Sequence, residues 1–181
     1  MSSLPSAPYR IPAALRDLQL VDLLELTGST TASAAVAWLS QPSISRRYRA
    51  LAADLGLQYV PHDPIGKRYG HTPWLQLLRQ GINSHRLASG VLRIGGAPDA
   101  ALGLQGQGGV QWVTLGRRQL QHWQPLLQLE LLDGVALQQS PLEEAATAEA
   151  MPYQLLPYAQ GCLACRLEPQ VLRLAASLCE A

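Results

Sequence analysis

Residues 27–56 read TGSTTASAAVAWLSQPSISRRYRALAADLG, and two helices separated by a tight break are written into them. Thr31 stands where it can cap ASAAVAWL, a helix of small residues suited to close packing. Ser40-Gln41-Pro42 then interrupts, with Ser40 as the next cap and Pro42 near a first turn, where its missing N–H does no harm. Along the helix from Pro42 to Leu55, at about 100° per residue, Ile44, Tyr48, Leu51 and Leu55 share a narrow arc. Arg46 and Arg49 fall nearly opposite, and Arg47 lies to one side. Gly56 is a fitting stop.

Upstream, Ala14, Leu15, Leu18, Val21 and Leu24 have the spacing of a helix over 13–26 with one buried face, ended by Thr27-Gly28-Ser29. Downstream, LQYVPHDPIGKRYGHT (57–72) carries two Pro, two Gly and the pair Lys67-Arg68, and predicts a small hairpin or wing. Thr72-Pro73 opens a helix to Ser89 with Trp74, Leu77, Leu78 and Ile82 at helical spacing, and Gly90 closes it. Beyond it, VLRIGG, VQWVTLG, GVALQQS and MPYQLLPYA read as strands, and ALGLQGQGG as a loop. RRQLQHWQPLLQLEL is a helix interrupted by Pro125, EEAATAEA is a separator, and EPQVLRLAASLCEA is a closing helix.

The 181 residues allow one ordinary domain or two small ones, which excludes a large multidomain enzyme. With 48% hydrophobic and 15% charged residues the chain has material for a core and lacks the signature of disorder. Three cysteines, Cys162, Cys165 and Cys179, are too few for a disulfide scaffold and point to a reducing compartment. No export signal and no run of about 18 apolar residues is present, so a cytoplasmic protein is expected, with no membrane partner. The formal charge of +1 is unevenly spread: between Pro42 and Thr72 five basic residues face two acidic ones, a cluster that a polyanion would detect.

Cys162-Leu163-Ala164-Cys165 has the spacing of a metal or redox pair, but no second pair or suitably spaced His follows, and structural thiols are the favoured reading. His62, His71, His85 and His122 are scattered. Phosphate-cradling loops, nucleophile elbows and metalloprotease helices are missing, so neither an enzyme nor a cofactor is expected.

Three helices, a tight turn before the third and a following wing outline a winged helix-turn-helix. Such a unit holds one face of its recognition helix in the core while the N-terminal residues enter the major groove, where Arg reads guanine bidentately and Ser or Gln reaches bases or phosphates. Ser40, Gln41, Ser43, Ser45 and Arg46 stand at that end. An isolated Arg-rich helix reads more simply as a solvated face; the surrounding pattern favours recognition.

Gly28-Ser29, Thr31, Ala34, Ser40-Gln41-Pro42, Ser43, Ile44, Ser45, Arg49-Ala50-Leu51 and Leu55-Gly56 together resemble the DNA-binding segment of the LysR-type transcriptional regulators. Lys67-Arg68 and His71-Thr72-Pro73 continue the likeness through the wing, SGVLRIGG resembles the strand that opens that family's effector domain, and LLDGVALQQSPLEE resembles a later strand and loop of it. Departures are Thr30 for a usual aromatic, Ala37 for a usual Leu, and Tyr59-Val60 for a usual Leu-Phe.

The resemblance implies an α + α/β protein: an arm (1–10), a winged helix-turn-helix (11–72), a shortened linker helix (73–89), and a region (90–181) like half of a periplasmic-binding-protein-like effector domain. The implied partner is double-stranded DNA, bound by a homo-oligomer through Thr31, Ser40, Gln41, Pro42, Ser43, Ser45, Arg46, Arg47 and Arg49, with Lys67 and Arg68 on a flanking minor groove or phosphates. The inducer cleft of that family lies between two lobes, and only one lobe's length of chain follows, so small-molecule sensing is not carried over. A regulator turned protein-interaction module is the alternative.

Overall fold

The computed structural model describes residues 15–101, 103–104, 107–138, 152–158 and 161–179. The N-terminal arm, the expected helix start at Ala13 and the Ala/Glu-rich separator lie outside the described residues. Among the described residues the chain is mixed α/β, with seven α-helices and a five-stranded sheet.

Among the described residues helix α1 spans Leu18–Thr27, and it is buried on every side rather than on one. Leu20 and Leu24 meet Ala34 of α2 (Thr30–Ala37) and Ile44 of α3 (Gln41–Leu55), as their spacing dictates. The side expected to face solvent carries Asp22, Leu23, Glu25 and Leu26, and a second layer of chain covers it. That layer is a sheet in the order β2-β1-β3-β5-β4. Strands β1 (Leu92–Gly96), β2 (Val110–Thr114) and β3 (Gly134–Leu137) run parallel, with Ile94 level with Trp112 on one neighbour and Gly134 on the other. Strands β4 (Tyr153–Tyr158) and β5 (Gly161–Arg166) complete the sheet antiparallel.

Strand alternation sorts the side chains into two layers. Val113, Val135 and Ala164 face α1 and α6 (Trp123–Gln128), where Leu23, Leu26, Leu126 and Leu127 cover them. Leu92, Ile94, Leu163 and Cys165 face α7 (Pro169–Cys179), with Val171 and Ala175 against them. Gly95 lies under the first layer, where a Cβ would come within 2.9 Å of both Leu115 and Leu132 side chains. The helix over 117–131 expected to be interrupted by Pro125 is indeed two, α5 (Arg117–Gln121) and α6, but the break is at His122, so that Pro125 falls in a first turn, where it is tolerated.

Two expectations are corrected here. Helix α4 (Pro73–Ala88) is capped by Thr72 as expected, but it turns Leu75, Arg79, Ile82, Asn83, Arg86 and Leu87 inward and leaves Trp74, Leu77 and Leu78 exposed. Polar side chains hold the inner face because Asp22 of α1, Asp133 and the carbonyls of Val91, Leu129 and Glu130 offer them partners. The second concerns residues 161–166, read only as a cysteine pair, which form the inner strand β5 between β3 and β4. Residues three apart on a strand point to opposite faces, so Cys162 and Cys165 do not converge on one ion. Burial, with Cys179, Asp133 and Cys162 nearby, pushes the Cys165 thiol up to about 12, far from a reactive thiolate.

Ion pairs stitch the layers together. Asp22 of α1 accepts from Arg79 Nε of α4 at 2.8 Å and from Arg93 Nη1 of β1 at 3.3 Å. Asp133, fully buried ahead of β3, takes both terminal nitrogens of Arg86, the Arg93 backbone N–H at 2.7 Å and Arg166 Nε at 3.1 Å. Burial and then the neighbouring Arg86 charge lower Arg93 to about 10, partly offset by Asp22 and Asp133. For Asp133 burial acts upward, but Arg86, Arg166 and the Arg93 amide outweigh it and hold the carboxyl below its ordinary 3.8.

Removing that charge leaves Arg86 buried beside a neutral amide. Asp133→Asn is therefore expected to cost about 3–5 kcal/mol in urea unfolding. A lowered folded pKa means that the Asp133 contribution is present above the unfolded value near 3.8 and is lost as pH falls through the folded value. The wild type should lose stability below about pH 4, and a variant that keeps wild-type stability at neutral pH would contradict this account.

Candidate nucleic-acid interface

Helix α2 is capped by Ser29, whose hydroxyl accepts from the Ala32 N–H at 3.4 Å, so Thr31 is not the cap but an exposed residue of the first turn. An earlier cap is available because Gly28, left-handed at φ 65°, turns the chain directly after α1. Ser40 caps α3, accepting from Ser43 N at 3.4 Å, and the two hydroxyls lie 2.8 Å apart. Gln41 Nε2 donates to Thr30 Oγ1 at 3.0 Å, which ties the start of α3 to the start of α2. Pro42 is exposed in the first turn, and Gly56 closes the helix at φ 63°.

The helix is held as its arc predicts. Ile44 is fully buried among Leu20, Leu24 and Ala34, and the Tyr48 hydroxyl donates to the Tyr69 carbonyl at 3.0 Å. The three arginines have different surroundings. Arg46 is exposed and makes no hydrogen bond or ion pair among the described residues. Arg49, also exposed, folds back on the Ser45 carbonyl and hydroxyl at 3.2 and 3.1 Å. Arg47 is drawn toward α1 by Asp17 at 3.1 Å, both side chains half-exposed.

Residues 57–72 form no strands; they are a run of turns in which Val60 N–H reaches the Arg68 carbonyl at 2.8 Å. The expected hairpin is replaced by a loop built around the buried Glu25 carboxylate. Glu25 accepts from Gly66 N at 3.0 Å, Tyr69 N at 2.5 Å and Arg68 Nε at 3.4 Å. Burial raises the Glu25 pKa above 4.5, against the lowering effect of the Tyr69 and Gly66 amides and the Arg68 charge. Arg68 is thereby corrected as a candidate surface residue: only 6% exposed, it turns inward and also donates to the Glu25 carbonyl at 3.1 Å. Its neighbour Lys67 is half-exposed and lines an open cleft of about 230 Å³ together with Leu57, Asp63 and His71. Burial, then the Lys67 and Arg79 cations, lower the His71 pKa, so a second positive charge is disfavoured in this corner.

The described surface therefore brings Thr31, Ser40, Gln41, Pro42, Arg46 and Arg49 to the ends and outer face of two helices tied at their starts by Gln41 and Thr30. Ser43 and Ser45 are half-buried within that end, Arg47 stands at its flank, and Arg68 is removed from it. The sequence reading missed Ser29 as a cap and Glu25 as the anchor of the loop. Nothing local marks Glu25, because a helix expected to have one solvated face offers a surface position for it.

No protein-family model matches the chain, and no curated protein matches it. Solved structures do. A mutant OxyR of Corynebacterium glutamicum is 19% identical, with 84% of this chain and 52% of that one covered at a TM-score of 0.37. HinK, a LysR family transcriptional regulator from Pseudomonas aeruginosa, is 23% identical over 79% of this chain and 51% of its own, at 0.32. ArgP from Mycobacterium tuberculosis is 21% identical over 66% and 46%, at 0.33. The chain resembles LysR-family transcriptional regulators. It spans about half the length of these LysR-type chains. No described helix is long and apolar enough to cross a membrane.

Replacing Glu25 by Gln sets an amide nitrogen against donors that now meet a carboxylate. Glu25→Gln should speed amide exchange at Gly66 and Tyr69 well before α3 loosens, with a stability loss of about 3–5 kcal/mol. Unchanged protection at both amides would remove Glu25 from this role.

Proposed function

We propose that the chain is a sequence-specific DNA-binding transcriptional regulator of LysR type, working in the cytoplasm beside its DNA and performing no catalysis. Residues 11–72 are the winged helix-turn-helix with an irregular wing, 73–89 the linker helix, and 90–181 an effector-like half domain. Arg46 carries this reading: it projects from the face of α3 opposite buried Ile44, close to the capped N-terminus, with its guanidinium uncommitted among the described residues. A free planar fork at that place is what bidentate reading of guanine requires.

Ser40, Gln41, Pro42, Ser43 and Ser45 form the end that enters the major groove, and Thr31 sits at the neighbouring start of α2. Arg49, released from Ser45, and Arg47, exchanging Asp17 for a phosphate, add backbone contacts. Lys67 reaches a flanking phosphate. One unit with so few cations binds weakly at physiological salt. Two copies are needed, joined through the exposed Trp74, Leu77 and Leu78 side of α4, with their α3 helices about 34 Å apart to meet successive major grooves.

The two kinds of contact are separable by titration against genomic fragments at several salt concentrations. Arg46→Ala should cost about 1–3 kcal/mol on the preferred fragment and relax discrimination, whereas Lys67→Ala should weaken all fragments alike and reduce the salt slope by about 1. Equal affinity of the wild type for every fragment, or a partner protein retained at high salt with no DNA bound at low salt, would favour the protein-interaction alternative.

A further inference from the structure

Trp38 ends α2 in the left-handed region, at φ 56° and ψ 41°, with its N–H closing on the Ala34 carbonyl. Glycine adopts that conformation freely; a bulky L-residue does so against its sterics. Burial does not compensate, because the residue is 93% exposed, the most exposed of the large apolar side chains described. An indole that is both strained and bare contributes nothing visible to the fold, and strained backbone positions cluster at functional sites.

Its position indicates the partner. Trp38 lies two residues ahead of Ser40, the cap of α3, at the corner where α2 ends and the exposed Gln41 and Pro42 begin. Between Glu25 and Asp54 the sequence has no acidic residue, while Arg46, Arg47 and Arg49 fall inside that span. A ring in an acid-free, Arg-bearing stretch of chain, where Asp17 answers Arg47 and leaves Arg46 without a counter-charge among the described residues, suits a polyanion. Indole has one N–H donor, no acceptor, and a broad apolar face; the sugar–phosphate backbone of a duplex offers an anionic acceptor next to an apolar deoxyribose.

We propose that Trp38 is a backbone anchor for duplex DNA, its Nε1–H donating to a phosphate oxygen and its ring lying on the adjoining sugar. This rests on the DNA-binding reading above and deepens it by adding a contact that supplies affinity without reading bases.

The full chain is compared as wild type, Trp38→Gly, Trp38→Phe and Arg46→Ala, by thermal unfolding and by titration with several duplex fragments. Trp38→Gly relieves the left-handed strain, so its Tm should be no lower than that of the wild type. Its DNA affinity should nonetheless fall about tenfold on every fragment, as expected for loss of an aromatic anchor, with an unchanged salt slope because no cation is lost. Trp38→Phe keeps a ring without the donor and should fall between. A lowered Tm in Trp38→Gly assigns the indole to the fold and overturns the anchor. Loss confined to one sequence makes it a base reader, and full affinity in Trp38→Gly while Arg46→Ala binds weakly leaves DNA recognition standing without it. A wild type that binds no fragment defeats the underlying reading instead, whether or not a protein occupies the ring.

Discussion

The Asp22 carboxylate, clamped between Arg79 and Arg93, is the interaction on which the architecture turns. Each of its partners belongs to a different element, so one side chain fixes α1 to α4 and to β1. Taking such a group out of water is costly, and only close opposite charge with further hydrogen bonds returns the cost. Arg79 Nη1 also donates to Gln76 and the Leu129 carbonyl, Arg93 Nε to Gln111 and Arg93 Nη1 to the Leu131 carbonyl, which returns most of that cost although Nη2 of each is buried without a partner among the described residues. The contact thus depends on the whole sheet edge being in place, and with it the seat of the three N-terminal helices.

Much of the outline was legible from local signals. Ser40, Pro42 and Gly56 delimit α3, Thr72-Pro73 opens α4, and the runs around Ile94, Val113, Val135 and Leu155 are strands. Caps, proline and glycine act within a few residues and can be read without knowing the tertiary context. Residues 161–166 escaped because Cys, Leu and Ala lack the β-branched signature; the slot between β3 and β4 makes them a strand. The face of α4 was misjudged because Arg79, Asn83 and Arg86 hold core positions at the same helical spacing as the leucines, and hydropathy assigns such residues to solvent.

The candidate surface divides in the same way. The outer placement of Arg46 and Arg49 follows from the arc of Ile44, Tyr48, Leu51 and Leu55, a property of one helix. The inward turn of Arg68 follows from Glu25, which lies 43 residues away in sequence, and no spacing rule reaches that far. Basic residues counted together in the sequence therefore separate in space into a free one, two leaning on their own neighbourhood, one at the lip of a cleft, and one committed to the interior.

The all-round burial of α1 also governs how the molecule comes into being. Leu23, Leu26, Asp22 and Glu25 acquire their surroundings from β1, β2, α4, α6 and the loop, segments synthesised long after α1 itself. A nascent chain that has emerged only as far as α3 holds two greasy side chains and two carboxylates without their counterparts. The first helices made are thus completed only after the sheet has formed, and the N-terminal helices depend for their solubility on the segments that follow them.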